Sequence, residues 1–357
     1  MDRVYNFNAG PSAMPLEVLQ EARAEFLNYK NTGMSIIEMS HRSPEYAAMH
    51  AETKALLRQL MGVPDDYEIL FIQGGGSLQF LMTAANFFTN KRAAYANTGV
   101  WAKKAMAEAK RFGETYEACT SADKNHSYIP QKLELKPDTS YLHITANNTI
   151  YGTEWQDFPE IDVPIICDMS SDILSRPVDV KKFSLIYAGA QKNLGPAGVV
   201  IVIVKKAFLE TARADLPPML SYRNYADNDS LYNTPPVFAI YMVNKTLHWI
   251  KAQGGVNAIA ARNREKAQLI YDVIDASRGF YRGHAEKNSR SLMNITFNLP
   301  TQELEKDFIA EGKKRGFIGI GGHRLVGGCR VSAYNAVTLE ACRALADFMK
   351  EYQAKHE

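Results

Sequence analysis

The chain has 357 residues, of which 46% are apolar and 22% are charged, and its formal net charge is +2. This composition is typical of a globular protein that is long enough to bury two hydrophobic cores. The small net charge argues against a surface built for nucleic acid or for an acidic membrane. We therefore expect neither a nucleic-acid partner nor a membrane partner.

The four cysteines are scattered, at Cys119, Cys167, Cys329 and Cys342. They follow no CxxC or Cys/His ligand spacing, so the sequence predicts neither a disulfide framework nor a bound metal. The first residues lack the basic and apolar segments of a signal peptide. The longest aliphatic run, 199–204, is far too short to span a bilayer. We expect a cytoplasmic protein with reduced thiols.

Apolar strands alternate with amphipathic helices through the first half of the chain. Strands are predicted over 68–73, 92–97, 140–146 and 163–167, and helices over 16–29, 43–61, 78–88 and 100–112. The segment 114–119 is mixed. Strands and helices in this alternation form a mostly parallel sheet that is covered on both faces. The sequence therefore predicts an α/β fold.

The stretch 184–204 reads as two apolar strands around a glycine-containing turn that carries Gln191 and Lys192. Desolvation between buried strands would lower the pKa of Lys192. A neutral amine of this kind can form a Schiff base with an aldehyde. Taken alone, Lys192 fits a solvated turn residue equally well.

The rest of the chain has a different pattern. A helix is predicted over 205–214, a polar tyrosine-rich segment over 215–233, and further helices over 238–253 and 256–277. A strand over 293–299, a helix after Thr301, a strand over 330–333 and a final helix capped by Thr338 follow. We therefore divide the chain into a large domain, 16–255, and a small α+β domain, 256–357, with residues 1–15 packed alongside the latter.

Polar residues follow several predicted strands, where parallel sheets bind their ligands. The glycine run 74–77 offers backbone N–H groups to a phosphate, and Asp168 can keep a pyridine nitrogen protonated. Trp101 offers a stacking face, and Thr149 and Lys192 lie at the same edge. A tight turn, a capping aspartate and a core tryptophan explain these residues singly. Together they are the parts of a pyridoxal-phosphate site.

Two further loops are rich in cationic side chains. His41 and Arg42 lie in one loop, and His323, Arg324 and Arg330 lie in or beside the other. The arginine fork matches carboxylates and phosphates. Each arginine alone fits a solvated or internally paired residue, whereas the two groups together indicate a substrate with more than one negative charge.

Eight stretches of the chain closely resemble the phosphoserine aminotransferase family, a branch of the class V aminotransferases. They are residues 6–11, 39–42, 74–76, 168–171, 174–177, 187–196, 232–236 and 322–335. The resemblance runs essentially from end to end. It implies a fold type I homodimer with a large cofactor domain and a small C-terminal domain.

The resemblance also implies roles for individual residues. Lys192 would form the Schiff base with pyridoxal 5′-phosphate, and Asp168 would face its pyridine nitrogen. The other cofactor contacts would be Gly76, Ser77, Trp101, Thr149 and Gln191, with Asn233 and Thr234 contributed by the second subunit. Arg330 would hold the substrate α-carboxylate, while His41, Arg42, His323 and Arg324 would receive the phosphate of phosphoserine or the side-chain carboxylate of glutamate. No metal is implied.

One position departs from the pattern of some family members, which carry arginine where this chain has Ser77. We expect this difference to weaken the attraction for a substrate phosphate while the backbone still binds the cofactor. The activity implied is a ping-pong transamination in serine biosynthesis. L-glutamate would donate its amino group to 3-phosphohydroxypyruvate, giving 2-oxoglutarate and O-phospho-L-serine.

Three alternatives remain at this stage. Another class V enzyme would be an aminotransferase for an unphosphorylated acceptor, or a cysteine desulfurase for which Cys329 is the candidate nucleophile. A dehydrogenase is disfavoured because Gln79 stands where the third glycine of GxGxxG would be. A non-catalytic cofactor-binding protein is the third alternative.

Overall fold

The computed structural model describes residues 3–357. Within this range the strands are β1 (Tyr5–Asn6), β2 (Tyr67–Gly74), β3 (Arg92–Asn97), β4 (Glu114–Thr120), β5 (Thr139–Thr145), β6 (Asn147–Asn148), β7 (Thr153–Glu154), β8 (Ile165–Asp168), β9 (Leu185–Gly189), β10 (Gly198–Lys205), β11 (Arg282–Gly283), β12 (Asn294–Asn298), β13 (Phe317–Ile318) and β14 (Cys329–Ser332). The α-helices are α1 (Leu16–Glu25), α2 (Pro44–Met61), α3 (Gly76–Phe87), α4 (Val100–Ala109), α5 (Lys206–Leu209), α6 (Tyr222–Asp227), α7 (Val237–Ala252), α8 (Gly255–Ala276), α9 (Gln302–Lys314) and α10 (Leu339–His356).

A seven-stranded sheet with the order β2-β10-β9-β8-β5-β3-β4 forms the centre of the molecule. Its pairs are parallel except for those of β10, which runs antiparallel to both β2 and β9. The predicted α/β class with a mostly parallel sheet is therefore confirmed. Because β10 is reversed, its first residue lies at the same edge as the last residues of its neighbours, and Gly198 pairs with Gly74.

The central sheet is buried on both faces, as its continuous apolar strands predict. Along β10, Ile201 and Ile203 pack in the layer that includes α2 and α7. Val200 and Val202 pack in the opposite layer, which includes α3 and α4. Successive side chains of a strand point to opposite faces, so one apolar run supplies both layers.

A third apolar cluster surrounds the small sheet β11-β12-β14 and includes residues of α8, α9 and α10. Helix α8 belongs to two clusters, because Ile259 packs with the large sheet and Ile270 with the small one. Phe7 joins the small cluster, and β1 pairs in parallel with β13. The division into 16–255 and 256–357 stays a prediction, and the three clusters are the features that support it.

Four α-helix starts are fixed by side-chain caps. Ser43, Ser221, Thr301 and Thr338 each accept a hydrogen bond from a backbone N–H in the first turn of α2, α6, α9 and α10, respectively. Such a cap satisfies one of the N–H groups that a helix leaves free at its start. The capping role predicted for Thr338 is confirmed.

Several predicted boundaries are wrong. The first helix ends at Glu25 and not at residue 29, because Phe26 and Leu27 are exposed and do not continue its buried face. The helix predicted over 205–214 is confined to α5, since β10 extends to Lys205. The mixed segment 114–119 is strand β4, at the edge of the sheet.

Across residues 3–357, none of the helices combines the length and the apolar character that crossing a bilayer would require.

Candidate active site

A cavity of about 270 Å³ opens at the carboxyl edge of the central sheet. A space of this order accommodates one small molecule. Nine of the predicted site residues line it: Gly76, Ser77, Trp101, Thr149, Asp168, Gln191, Lys192, His323 and Arg330. The structure thus brings together the phosphate-binding turn, the carboxylate, the stacking surface and the lysine that the sequence predicted at one edge.

The sheet topology explains this convergence. Asp168 is the last residue of β8, and the turn with Lys192 joins β9 to β10. Parallel strands deliver the residues after their ends to one edge. The reversed strand β10 returns the chain from that same edge, so the turn is short and holds Lys192 directly above the sheet.

The amine of Lys192 is partly buried and donates a hydrogen bond to Thr149 Oγ1 at 2.8 Å. Its pKa is lowered from 10.5 to about 8, mainly by burial; Asp168 opposes this shift and the nearby charge of Arg330 adds to it. A lysine with this pKa is substantially neutral at mildly alkaline pH, and the neutral amine is the nucleophilic form.

Asp168 is 7% exposed, and burial raises its pKa above the usual value. The backbone N–H of Ser170 donates to Asp168 Oδ1 at 2.9 Å, and the charge of Lys192 also favours the ionised carboxylate. These contacts oppose the burial effect. Asp168 is therefore a buried carboxylate whose charge depends on its few neighbours.

Helix α3 begins at the cavity with no side-chain cap, because Gly75 occupies its N-cap position. Its first N–H groups are therefore available to an anion, which the helix dipole also favours. The turn before it needs glycine at Gly74, where φ is +109°. A Cβ on Gly76 would lie 3.2 Å from Ser170 Oγ, so the helix start packs closely against the turn after β8.

Arg330, on β14, reaches the cavity from the small sheet. Its guanidinium donates to the carbonyl oxygen of Thr149 at 3.3 Å, while its buried Nε has no partner among the described residues. Within residues 3–357 it forms no ion pair with an acidic side chain. Burial lowers its pKa. A half-buried cation without an internal counter-charge is suited to binding an anionic ligand.

Five predicted site residues lie outside this cavity: His41, Arg42, Asn233, Thr234 and Arg324. Arg324 is exposed beside His323, whose pKa is lowered by burial and by Arg330 and Arg324. Thr234 borders a different surface groove, which Ile37 and Met39 also line.

The cavity also has walls to which the sequence assigned no role, namely Ala9, Gly10, Phe80, Thr145, Asn147, Ile150, Ser170 and Ser171. Gly10 approaches Lys192 so closely that a Cβ would lie 3.5 Å from its Cε. Gly10, Ser170 and Ser171 lie in stretches on which the family resemblance rests, so these motifs could have identified them as site residues. No pattern in the sequence indicated a role for Phe80 or Asn147.

The chain is similar to known proteins in sequence and in fold. The family described as Aminotransferase class-V matches residues 4–345, so the chain belongs to the class-V aminotransferases. It is 56% identical to the phosphoserine aminotransferase of Bacillus subtilis (strain 168), and the match covers both chains completely. Within the class, the chain belongs to the phosphoserine aminotransferase family.

Solved structures agree with this placement. The phosphoserine aminotransferase of Bacillus circulans subsp. alkalophilus superposes with a TM-score of 0.98 at 52% identity over the whole of both chains. A phosphoserine aminotransferase of Trichomonas vaginalis, described as having PLP bound, superposes with a TM-score of 0.93 at 39% identity, covering 98% of this chain and all of the other. The predicted fold type I architecture is confirmed.

Proposed function

We propose that the chain transfers the amino group of L-glutamate to 3-phosphohydroxypyruvate, with pyridoxal phosphate as cofactor. The observation that carries this proposal is the 56% sequence identity, over the full length, with a phosphoserine aminotransferase. It is supported by the cavity that Lys192, Asp168 and Arg330 line together. The products would be 2-oxoglutarate and O-phospho-L-serine, and the latter is an intermediate of serine biosynthesis. Four free, buried cysteines fit the cytoplasm as the place of action.

The residues present fit pyridoxal phosphate. The uncapped start of α3 at Gly76 and Ser77, with Gln191 opposite, suits its phosphate, and Trp101 offers a ring face. Asp168 would accept a hydrogen bond from the ring nitrogen and hold it protonated. When bound, the cofactor would supply an electron-withdrawing ring that stabilises the charge left at the substrate α-carbon.

Lys192 has two tasks in this proposal. Its neutral amine would attach the cofactor, because an amine attacks an aldehyde carbon only when unprotonated. Once a substrate amine has displaced it, Lys192 Nζ would take the proton from the substrate α-carbon and deliver it to the cofactor carbon that had carried the aldehyde. In the second half-reaction Lys192 Nζ would move a proton in the reverse direction. Its hydrogen bond to Thr149 Oγ1 orients the amine for this exchange.

Arg330 would bind the substrate α-carboxylate with its guanidinium fork. The absence of an internal acidic partner within residues 3–357 leaves its charge for the substrate. His323 lines the same cavity and lies near Arg324, so the phosphate of the acceptor would face this loop.

We propose that two subunits complete each site. The chain exposes apolar side chains near its first helix, including Phe26, Leu27, Met34 and Ile37, and Leu27 is 81% exposed. Apolar residues clustered in this way mark an association surface. The groove lined by Ile37, Met39 and Thr234 lies on it, and His41 and Arg42 follow directly in sequence. The loops predicted to bind phosphate would thus reach the cavity of the other subunit.

The loop that carries Asn233 is held in place along the free edge of β2. Ser230 Oγ accepts a hydrogen bond from the N–H of Phe71 at 3.0 Å, and Asn233 Nδ2 donates to Gln73 Oε1 at 3.0 Å. Among residues 3–357 this edge strand pairs with β10 alone, so its other side is open to the loop. This arrangement supports the proposal that Asn233 and Thr234 act as a fixed unit toward a second subunit.

The structure removes support from the desulfurase alternative. Cys329 is 1% exposed, lies in strand β14, and pairs with Phe297. Burial raises the pKa of its thiol. A desulfurase cysteine must reach the cofactor as a thiolate on a mobile segment, whereas this side chain is packed in the core of the small sheet.

The test is the visible spectrum of the purified protein after loading with pyridoxal phosphate and removing the excess. O-phospho-L-serine and L-glutamate should each change the absorption of the bound cofactor, and L-serine at the same concentration should not. The variant Lys192→Ala should show no such conversion. A loaded protein that responds to L-serine as readily as to O-phospho-L-serine would refute the proposed substrate, and failure to bind the cofactor would refute the role of Lys192.

A further inference from the structure

Five polar side chains interrupt the apolar layer between the central sheet and helices α3 and α4. They are Tyr95, Tyr141, His143, Asp168 and Tyr187, and each is less than 10% exposed. The rest of this layer consists mainly of apolar residues. Polar groups persist in such a place only when they are hydrogen-bonded. Contacts join the four rings in the middle of the sheet, and strand pairing places Tyr187 next to Asp168 at its edge.

His143 begins this path. Its Nε2 lies 2.9 Å from the hydroxyl oxygen of Tyr187, and its ring stacks on Tyr95 with the centroids 5.2 Å apart. Burial lowers its pKa to about 3, so the imidazole is neutral and carries one ring proton.

The position of that proton follows from the partners of the two ring nitrogens. His143 Nδ1 is buried and has no hydrogen-bond partner among the described residues. A buried N–H without an acceptor is rarer than a buried acceptor without a donor. The proton therefore belongs on Nε2, where it is donated to the oxygen of Tyr187.

Tyr187 then has its own hydroxyl hydrogen free to donate elsewhere. Tyr187 and Asp168 are paired positions on the adjacent strands β9 and β8, so their side chains leave the same face of the sheet. The Tyr187 hydroxyl lowers the pKa of Asp168, and burial raises the pKa of Tyr187 well above 10, so it stays protonated. The path His143 to Tyr187 to Asp168 thus ends at the carboxylate that lines the cavity.

We propose that Tyr187 and His143 are positioning residues that keep the Asp168 carboxylate ionised and directed at the ring nitrogen of the cofactor. The inference rests on the proposed function for the identity of the cofactor, but the arrangement of the three side chains does not. Neither residue touches the cavity, so both act through Asp168.

The first measurement uses the protein without cofactor. The acidity of Asp168 is followed by carbon-13 NMR of the protein labelled in its aspartate carboxyls, with the signal assigned by its loss in Asp168→Asn. The other titratable groups that influence this carboxylate are Lys192, Asp172 and Cys167. These groups are the same in every variant, so a difference in the pKa of Asp168 between variants is caused by the altered residue.

Tyr187→Phe should raise the pKa of Asp168, whereas Tyr95→Phe should leave it unchanged. Tyr95 is a matched control because it lies on the same buried face and bonds to Tyr141 at 2.8 Å, not to Asp168. Should Tyr187→Phe fold poorly because it leaves the His143 N–H unpaired, the double variant Tyr187→Phe/His143→Leu removes both polar groups and serves the same purpose. An unchanged Asp168 titration would overturn the proposal.

The second measurement uses the protein loaded with pyridoxal phosphate that is nitrogen-15 labelled in its ring. Tyr187→Phe should shift the ring-nitrogen signal toward the unprotonated form. It should also lower kcat about 10- to 100-fold with little change in KM, the size of effect that removing a polar group beside a charged one produces. In the otherwise unaltered protein, His143→Gln keeps a donor near the position of Nε2 and should leave the ring-nitrogen signal close to its original position.

The two failures are distinguishable. If the unaltered protein does not bind pyridoxal phosphate, the proposed function fails, and the Asp168 titration still decides whether Tyr187 controls the carboxylate. If Tyr187→Phe changes kcat but leaves both NMR signals unaltered, Tyr187 has a merely structural role and the proposal is wrong.

Discussion

The pKa of Lys192 is the result of opposing effects. Burial and the charge of Arg330 lower its pKa, and the carboxylate of Asp168 raises it. Burial is the largest of these effects, because the ammonium loses its hydration while the two nearby charges partly cancel. The result, about 8, places the amine close to its titration midpoint at mildly alkaline pH.

This pKa predicts how fast the cofactor-free protein captures pyridoxal phosphate. Only the neutral amine reacts, and the neutral fraction grows as the pH rises through the pKa. The capture rate, measured by stopped-flow absorbance, should therefore rise with pH and level off above a midpoint near 8. A midpoint near 10.5, the ordinary value for lysine, would contradict the burial of this amine.

Variants of Arg330 test the electrostatic part of the same argument. Arg330→Ala removes a neighbouring positive charge, so the midpoint of the capture rate should move to higher pH. Arg330→Lys keeps the charge and should keep the midpoint, but it loses the guanidinium fork and should raise KM for both substrates. Equal midpoints in Arg330→Ala and the unaltered protein would show that this charge does not reach Lys192.

Sequence reasoning located the residues to which we assign the chemistry, but not those that we propose support them. Lys192 and Asp168 could be found because a charged residue directly after an apolar strand is conspicuous. His143 and Tyr187 lie inside strands and resemble other large residues of a buried sheet. Their relation to Asp168 depends on strands that are neighbours in space and not in sequence, and no local pattern shows which strands pair.

Among the elements, α8 is anchored by a buried lysine. Lys266 has no exposed surface, and its amine donates to the carbonyl oxygens of Ala333, Tyr334 and Val337 at 2.7 to 3.0 Å. These carbonyls belong to the segment between β14 and α10. The side chain of Lys266 thus connects α8 to the segment that joins β14 and α10.

Replacing this lysine should weaken the protein without touching the cavity. Lys266→Met fills most of the same space but leaves three buried carbonyls without their donor. We expect the free energy of unfolding to fall by about 3 kcal/mol, the order of cost for buried polar groups left unpaired. Urea unfolding measures this change. Lys251→Met, at an exposed position on α7, is the control and should be nearly neutral. Equal stabilities of the two variants would refute the anchoring role.

The periodic elements were predicted well and the irregular ones were not. Strand β3 was predicted at its observed limits, and α2 and α10 have caps that the sequence shows. By contrast, α5 is a single turn, because the chain after Leu209 turns back so that Arg213 bonds to the carbonyl of Asn86. Helical propensity over 205–214 was outweighed by this tertiary contact.

At the scale of the whole molecule, the proposed dimer can be tested by mixing damaged subunits. Lys192→Ala and Arg42→Ala should each inactivate a homodimer. If Arg42 acts on the partner's cavity, a heterodimer of the two has both defects in one site and none in the other. Isolated with two affinity tags, it should recover about half of the unaltered dimer's activity, since one of two sites is intact.

The matched control replaces Arg42 with a residue of the chain's own cavity. Arg330 and Lys192 line the same cavity, so a heterodimer of Lys192→Ala with Arg330→Ala has one defect in each site and should remain inactive. If the Arg42 heterodimer is as inactive as this control, the loop with His41 and Arg42 serves its own subunit.

The order of strands in the sheet has a consequence for synthesis on the ribosome. Strand β2 is the first long strand to emerge, yet it lies at the edge of the sheet, and its one partner strand within the described range is β10, the last strand of that sheet to be made. Strand β1 can pair only after β13, at residues 317–318, has been synthesised. Pairings so distant in sequence form slowly. The first strands of the nascent chain therefore remain without their partner strands until more than half of the chain has been synthesised, and unpaired strand edges of this kind are prone to aggregation.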